Sequence, residues 1–207
     1  MSGITSPRNF TEVKFVFRKA CKKIIFAFAI GALRSLPFRK DTKLYNEAMT
    51  SITRSIQILV NADLQTAFDY VADLTKHPEW SGGELKIEAV SSEPIRVGKE
   101  YVSKGEVAIQ KDRLNRLRVT EFEPPYKFGF AANDPDFGDV FHTFTFVEKE
   151  GKTQITRVMK LNLNPFMAFG FTLFIYPLVG SPSMKKAFHN LKTKLENKQP
   201  RLAKRQG

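Results

Sequence analysis

The chain has 207 residues, 42% of them hydrophobic, with a single cysteine and a formal net charge of +12. That length allows one core-bearing domain with extensions, and the lone Cys21 excludes an internal disulfide and any multi-cysteine zinc site. The charge is +7 over residues 1–50, −2 over 51–184 and +7 over 185–207. The body therefore lacks the basic face of a nucleic-acid reader, whereas the ends suit an anionic membrane surface or a targeting role.

Residues 1–50 read as a basic amphipathic and apolar extension followed by a linker. Val13, Phe17, Ala20, Cys21, Ile24 and Phe28 share one helical face beside a stripe of Lys14, Arg18 and Lys22. Ile24 to Leu33 is an apolar run of ten residues, short of the ~20 that cross a bilayer. Three readings fit: a peripheral membrane helix over residues 10–36, an acid-poor N-terminal targeting segment, and an extra helix packed on the domain. Cytoplasmic and organellar locations both remain open.

Residues 51–198 carry the pattern of a folded domain. Ile52, Ile56, Ile58 and Val60 predict a first strand, and Asp63 is placed to cap a helix built on Leu64, Phe68 and Val71. A polar turn with the chain's only Trp, Trp80, follows. Six more strands are predicted, over 85–90, 101–109, 114–122, 126–132, 140–148 and 153–163. Pro124 and Pro125 end one of them, and Gly151 supplies a left-handed residue in a hairpin. Short strands joined by tight turns pair antiparallel.

From Leu161 to Met184 there is no charge. A membrane span is the sharp alternative here, but Pro165, Gly170, Pro177 and Gly180 interrupt the run. The favoured reading is the first part of a closing helix and a lid. Met184, Phe188, Leu191 and Leu195 then line one face of that helix. Residues 199–207 form a basic tail.

Five segments carry a resemblance. They are the stretch from Phe68-Asp69-Tyr70-Val71-Ala72-Asp73 through the turn to Trp80, then Val97 to Tyr101, Val119 to Tyr126, Glu150 to Thr153 and Leu191 to Glu196. In order and spacing they resemble the SRPBCC superfamily (START-like or Bet v 1-like), in its polyketide cyclase/dehydrase and lipid-transport branch. The resemblance implies an α+β helix-grip fold, a curved seven-stranded antiparallel sheet around a long C-terminal helix. It also implies a hydrophobic small molecule or lipid bound in an interior apolar cavity, with a cyclase or dehydratase acting in the same place as the alternative.

Candidate cavity residues are Trp80, Tyr101, Phe128, Phe130, His142, Phe144, Phe146, Arg157 and Met159, with Phe169 and Leu173 on the lid. A pocket of this kind is mostly apolar with a few polar groups. His142 shares strand parity with Phe144 and Phe146, so it is placed to orient a polar ligand group or to act as acid or base; the plainer reading is a hydrogen-bonded structural histidine. It is the only catalytic candidate, which favours carriage over catalysis. Arg157, if inward, needs Glu121 or an anionic head group as partner; an outward Arg157 is the alternative. His77 and His189 read as solvated. No spacing suits a metal, Asp134, Asp136 and Asp139 read as turn chemistry, and no motif calls for a cofactor.

Overall fold

The computed structural model describes residues 49–81, 85–107, 110–134 and 138–198. The expected N-terminal extension and basic tail lie outside them. Seven strands form one antiparallel sheet in the order β1-β7-β6-β5-β4-β3-β2. They are β1 Thr50–Val60, β2 Leu85–Ala89, β3 Glu100–Val107, β4 Gln110–Glu123, β5 Lys127–Asp134, β6 Gly138–Lys149 and β7 Lys152–Leu163. Helices α1 (Leu64–Ala72) and α2 (Pro78–Ser81) lie between β1 and β2 in the chain, with a 3-10 turn at Leu74–Lys76 joining them. After β7 come α3 (Pro165–Gly170), a π-helical stretch (Phe171–Gly180) and α4 (Ser181–Lys198).

Local chemistry explains these boundaries. The Asp63 carboxylate accepts the Thr66 N–H at 2.8 Å and so caps α1. Between β6 and β7 the two loop residues Glu150 and Gly151 both have positive φ, 52° and 71°. That is the primed two-residue turn whose twist matches paired strands, and it fixes the Lys149–Lys152 register. At the other end of β4, Glu123 closes the ladder before Pro124-Pro125, and the Tyr126 N–H returns to the Glu123 carbonyl at 2.8 Å.

Curvature comes from an irregularity in β4 between Val119 and Glu121, where an extra residue bends the strand. Gly129 lies opposite Glu121 at this bend, and a Cβ there would stand 3.0 Å from the Glu121 Cβ and 3.1 Å from the Thr120 hydroxyl. Glycine is required by that close approach.

The core lies on one face of the bent sheet. Period-two alternation puts Phe128 and Phe130 of β5, His142, Phe144 and Phe146 of β6, and Ile155, Arg157, Met159 and Leu161 of β7 on this face. Phe188, Leu191 and Leu195 of α4 belong to the same buried cluster as Trp80, Phe128, Phe144 and Phe146. A second cluster of Ile52, Leu161, Leu163, Ala168 and Phe171 lies under α3 and the π-helical stretch. Met159 and Tyr176 touch both. The charge-free segment is therefore the start of the closing helix, continuous from Pro165 to Asn197.

Candidate functional site

The sheet places Phe130, His142, Phe144 and Arg157 side by side. His142 pairs with Phe130 on β5 and Met159 on β7, and Phe144 pairs with Arg157. The Arg157 guanidinium donates from Nη2 to Nδ1 of His142 at 3.1 Å and stands 5.6 Å from the centre of the Phe144 ring. A guanidinium has no lone pair to offer, so His142 accepts at Nδ1 and carries its own proton on Nε2.

The loop after α1 brings in a third group. Asp73 accepts both the N–H and the hydroxyl of Thr75, at 3.1 and 2.6 Å, and pairs with Lys76 at 2.9 Å. This tight turn ends on His77, whose ring lies 4.1 Å from Trp80 and 6.0 Å edge-on from Phe130. Asn190 of α4 donates to the Trp80 carbonyl at 3.3 Å and ties the turn to the closing helix.

Electrostatics sets the charge states. Burial pushes the His142 imidazole well below its usual range, and the charge of Arg157 and the neighbouring His77 add to that. Burial and Arg157 likewise bring His77 down to about 3. Burial lowers Arg157 to about 10, so it stays a cation at neutral pH. The site is one cation with two neutral imidazoles. The Arg157 Nε, the His77 Nδ1 and the Trp80 Nε1 are enclosed without a hydrogen-bond partner. Such atoms carry the full cost of desolvation.

Glu121 does not serve Arg157. It sits on the opposite face of the sheet, where it meets Lys127 at 3.1 Å and accepts from Thr143 at 3.1 Å. Of the two expected partners for Arg157, Glu121 is thus removed by strand parity. His77, read from sequence as solvated, instead joins the interior cluster. The available signal was its position three residues before the only Trp, which puts both rings on one side of a single turn. His189 is exposed, as expected.

Trp80, Phe128, Phe144 and Phe146 are buried in the aromatic end of the core, where Trp80 meets Phe144 and Phe188 edge-on at 6.3 and 6.4 Å. Tyr101 is buried on β3, with its hydroxyl pKa raised by burial and by the Asp73 carboxylate. A depression of about 150 Å³ at Tyr101, Glu100 and Arg116 involves β3 and β4, three strands or more from Arg157. Met159 is partly buried where the two clusters meet. Phe169 and Leu173 point outward instead, 58% and 51% exposed. The inward face of their segment is taken by Ala168 and Phe171, with Ile175 and Tyr176 packed behind. Among the described residues, no group of three His, Cys, Asp or Glu could hold a metal ion.

The sequence model described as "Polyketide cyclase / dehydrase and lipid transport" matches residues 49–196, which takes in all seven strands and the helices up to the last residues of α4. The chain belongs to this family. Solved structures agree on the fold. A Thalictrum flavum norcoclaurine synthase mutant, bound to a transition-state analogue, is 13% identical with a TM-score of 0.55, covering 72% of this chain and 97% of its own. The di-domain aromatase/cyclase StfQ of the steffimycin biosynthetic pathway is 10% identical with a TM-score of 0.56, over 75% of this chain and 53% of its own. A Staphylococcus aureus protein of unknown function is 12% identical with a TM-score of 0.55, over 70% and 96%. Identities this low establish the helix-grip architecture and no more. A search of curated proteins finds no significant match.

Proposed function

We propose that the protein binds a hydrophobic small molecule that ends in an anionic group. Family and fold support hydrophobic-ligand binding in general. The finer reading rests on one observation: Arg157 is a half-buried cation whose Nε is enclosed without a hydrogen-bond partner and which meets no carboxylate of the described residues, beside an unpartnered Nδ1 on His77. An uncompensated interior charge is costly, and an anionic head group would supply what the chain does not. The aliphatic body would lie along the seam where Met159 and Tyr176 touch both apolar clusters.

Carriage is favoured over catalysis by the same groups. A general base is most effective when its pKa lies near the working pH. His142 is held far below that range and its Nδ1 is already engaged by Arg157. Transfer at an anionic surface, aided by the basic residues of 1–40 and 199–207, is a further part of the proposal and rests on their composition.

Native mass spectrometry of the purified full chain is expected to recover an apolar acid. In a displacement assay, a long-chain carboxylate should bind at least tenfold tighter than its methyl ester, and Arg157→Met should erase that preference. Equal affinities for acid and ester in the unaltered protein would sink the reading.

A further inference from the structure

The continuous helix Pro165–Asn197 is, among the described residues, the one long and apolar enough by length and composition to cross a membrane, yet only 11% of its apolar window is buried. Its second half cannot leave the domain, because Met184, Ala187, Phe188, Leu191 and Leu195 are built into the main core. That leaves the six residues of α3 and the ten of the π-helical stretch. At 1.5 Å per residue they reach roughly 24 Å, short of a ~30 Å hydrocarbon layer. The segment can lie in a bilayer surface but cannot span it.

Its geometry presents a prepared face. Ala168 and Phe171 are buried against Ile52, Leu161 and Leu163. On β1, Arg54 donates to the Thr172 hydroxyl at 3.3 Å and covers the Tyr176 ring at 4.8 Å. With the inner side fixed in this way, Phe169, Leu173 and Leu178 all point out, each more than half exposed, and Val179 extends the patch. Their spacing of four and then five residues keeps them on one stripe, because the π-helix has a wider turn than the α-helix.

Charge identifies the occupant. Between Glu150 and Glu196 the sequence has no Asp or Glu, but it has Lys152, Arg157, Lys160, Lys185, Lys186, Lys192 and Lys194. Exposed Lys185 and Lys186 follow the apolar segment in the first turns of α4, whereas Lys160, next to inward-facing Leu161, stands on the opposite face of the sheet. We propose that Pro165–Gly180 is a docking face for an anionic lipid bilayer, the apolar stripe entering the acyl boundary and the lysines meeting the head groups. A second copy of the chain suits the face less well, since it would bring the same lysines together. The docking face does not depend on the ligand reading, although it would place the Tyr176 seam next to lipid.

The test is vesicle co-sedimentation of the full chain, with phosphatidylcholine alone and with phosphatidylglycerol added. Wild type should sediment with the anionic vesicles and be released by salt. Leu173→Glu/Leu178→Glu alters exposed positions and should keep the wild-type circular dichroism and melting, but lose at least tenfold in partitioning. Lys185→Glu/Lys186→Glu should lose the preference for phosphatidylglycerol. A nitrobenzoxadiazole label at Leu173→Cys, in a Cys21→Ser background, should shift to the blue on those vesicles. The proposal is overturned if wild type does not sediment. It is equally overturned if the glutamate pair binds unchanged, which would assign binding to the basic termini, or if sedimentation velocity shows a dimer that the pair dissociates. Binding of a long-chain carboxylate by the same variants, measured without vesicles, should stay at the wild-type level, so failure of either proposal is read separately.

Discussion

The two halves of the C-terminal helix stand in opposite relation to the domain. In α4 the apolar residues recur at helical spacing and every one of Phe188, Leu191 and Leu195 is buried. In the sixteen residues before it the apolar content is higher, yet Phe169, Leu173 and Leu178 face outward. Hydrophobicity alone therefore does not mark the core; a stripe matched to a facing surface does. Stability measurements can break this contrast directly. Phe188→Ala should lower the unfolding free energy by about 3–5 kcal/mol, the cost of an unfilled aromatic site. Leu173→Ala should change it by less than about 0.5 kcal/mol, as at exposed positions generally. Urea titration of both variants decides the matter, and a comparable loss at Leu173 would make the segment core.

A second contrast runs across the inner face of the sheet. Part of it is closed by rings in mutual contact, Phe68 against Phe146 at 5.4 Å and Trp80 against Phe188 at 6.4 Å. Directly beside these rings, with His77 against Trp80 at 4.1 Å and Arg157 over Phe144 at 5.6 Å, it holds a cation and two imidazoles kept neutral. This sharpens into a pH prediction. Both histidines have folded pKa values below the ordinary 6.5. The unfolded chain therefore takes up protons first as pH falls, and stability is complete above that value and lost below it. Between pH 6.5 and 5.5 the loss should be about 1 kcal/mol from His142 and no more than that from half-buried His77, roughly 2 kcal/mol together. His142→Phe should remove its share of the slope. Stability independent of pH across that interval would show that neither imidazole is held neutral.

Most of the fold was legible in the sequence, for reasons tied to particular residues. Strand alternation around Phe144 and Phe146, the capping Asp63 and the Glu150-Gly151 turn are local signals, and the structure follows them. The site was legible only in part. That Arg157 faces inward follows from the parity it shares with Ile155 and Leu161, but that Glu121 lies on the other face depends on the bend in β4, which shifts register by one residue. His77 was hidden because its burial is created by a distant strand, through Phe130. The outward turn of Phe169 and Leu173 was hidden because composition does not say which side of an all-apolar segment packs: Ala168 and Phe171 take the inner side against Ile52, Leu161 and Leu163.

Gly180 gives the finest test of how the uncharged half is held. A Cβ at this position would stand 3.0 Å from Cδ2 of the Tyr176 ring. That ring is pinned between the two apolar clusters and the Arg54 guanidinium, so it cannot yield freely. Two terms then oppose each other in Gly180→Ala: alanine gains up to ~1 kcal/mol of helix preference over glycine, and displacing the ring costs a similar amount. The single variant should change stability by less than about 0.5 kcal/mol, which alone would say little. The double-mutant cycle separates the terms. With Tyr176→Ala in place the crowding is gone, and Gly180→Ala should become stabilising, leaving a coupling of at least ~0.5 kcal/mol between the two positions. Additive effects in the four-protein urea series would mean that the ring does not bear on Gly180, and that the π-helical stretch is held to β1 by something other than the Tyr176 clamp.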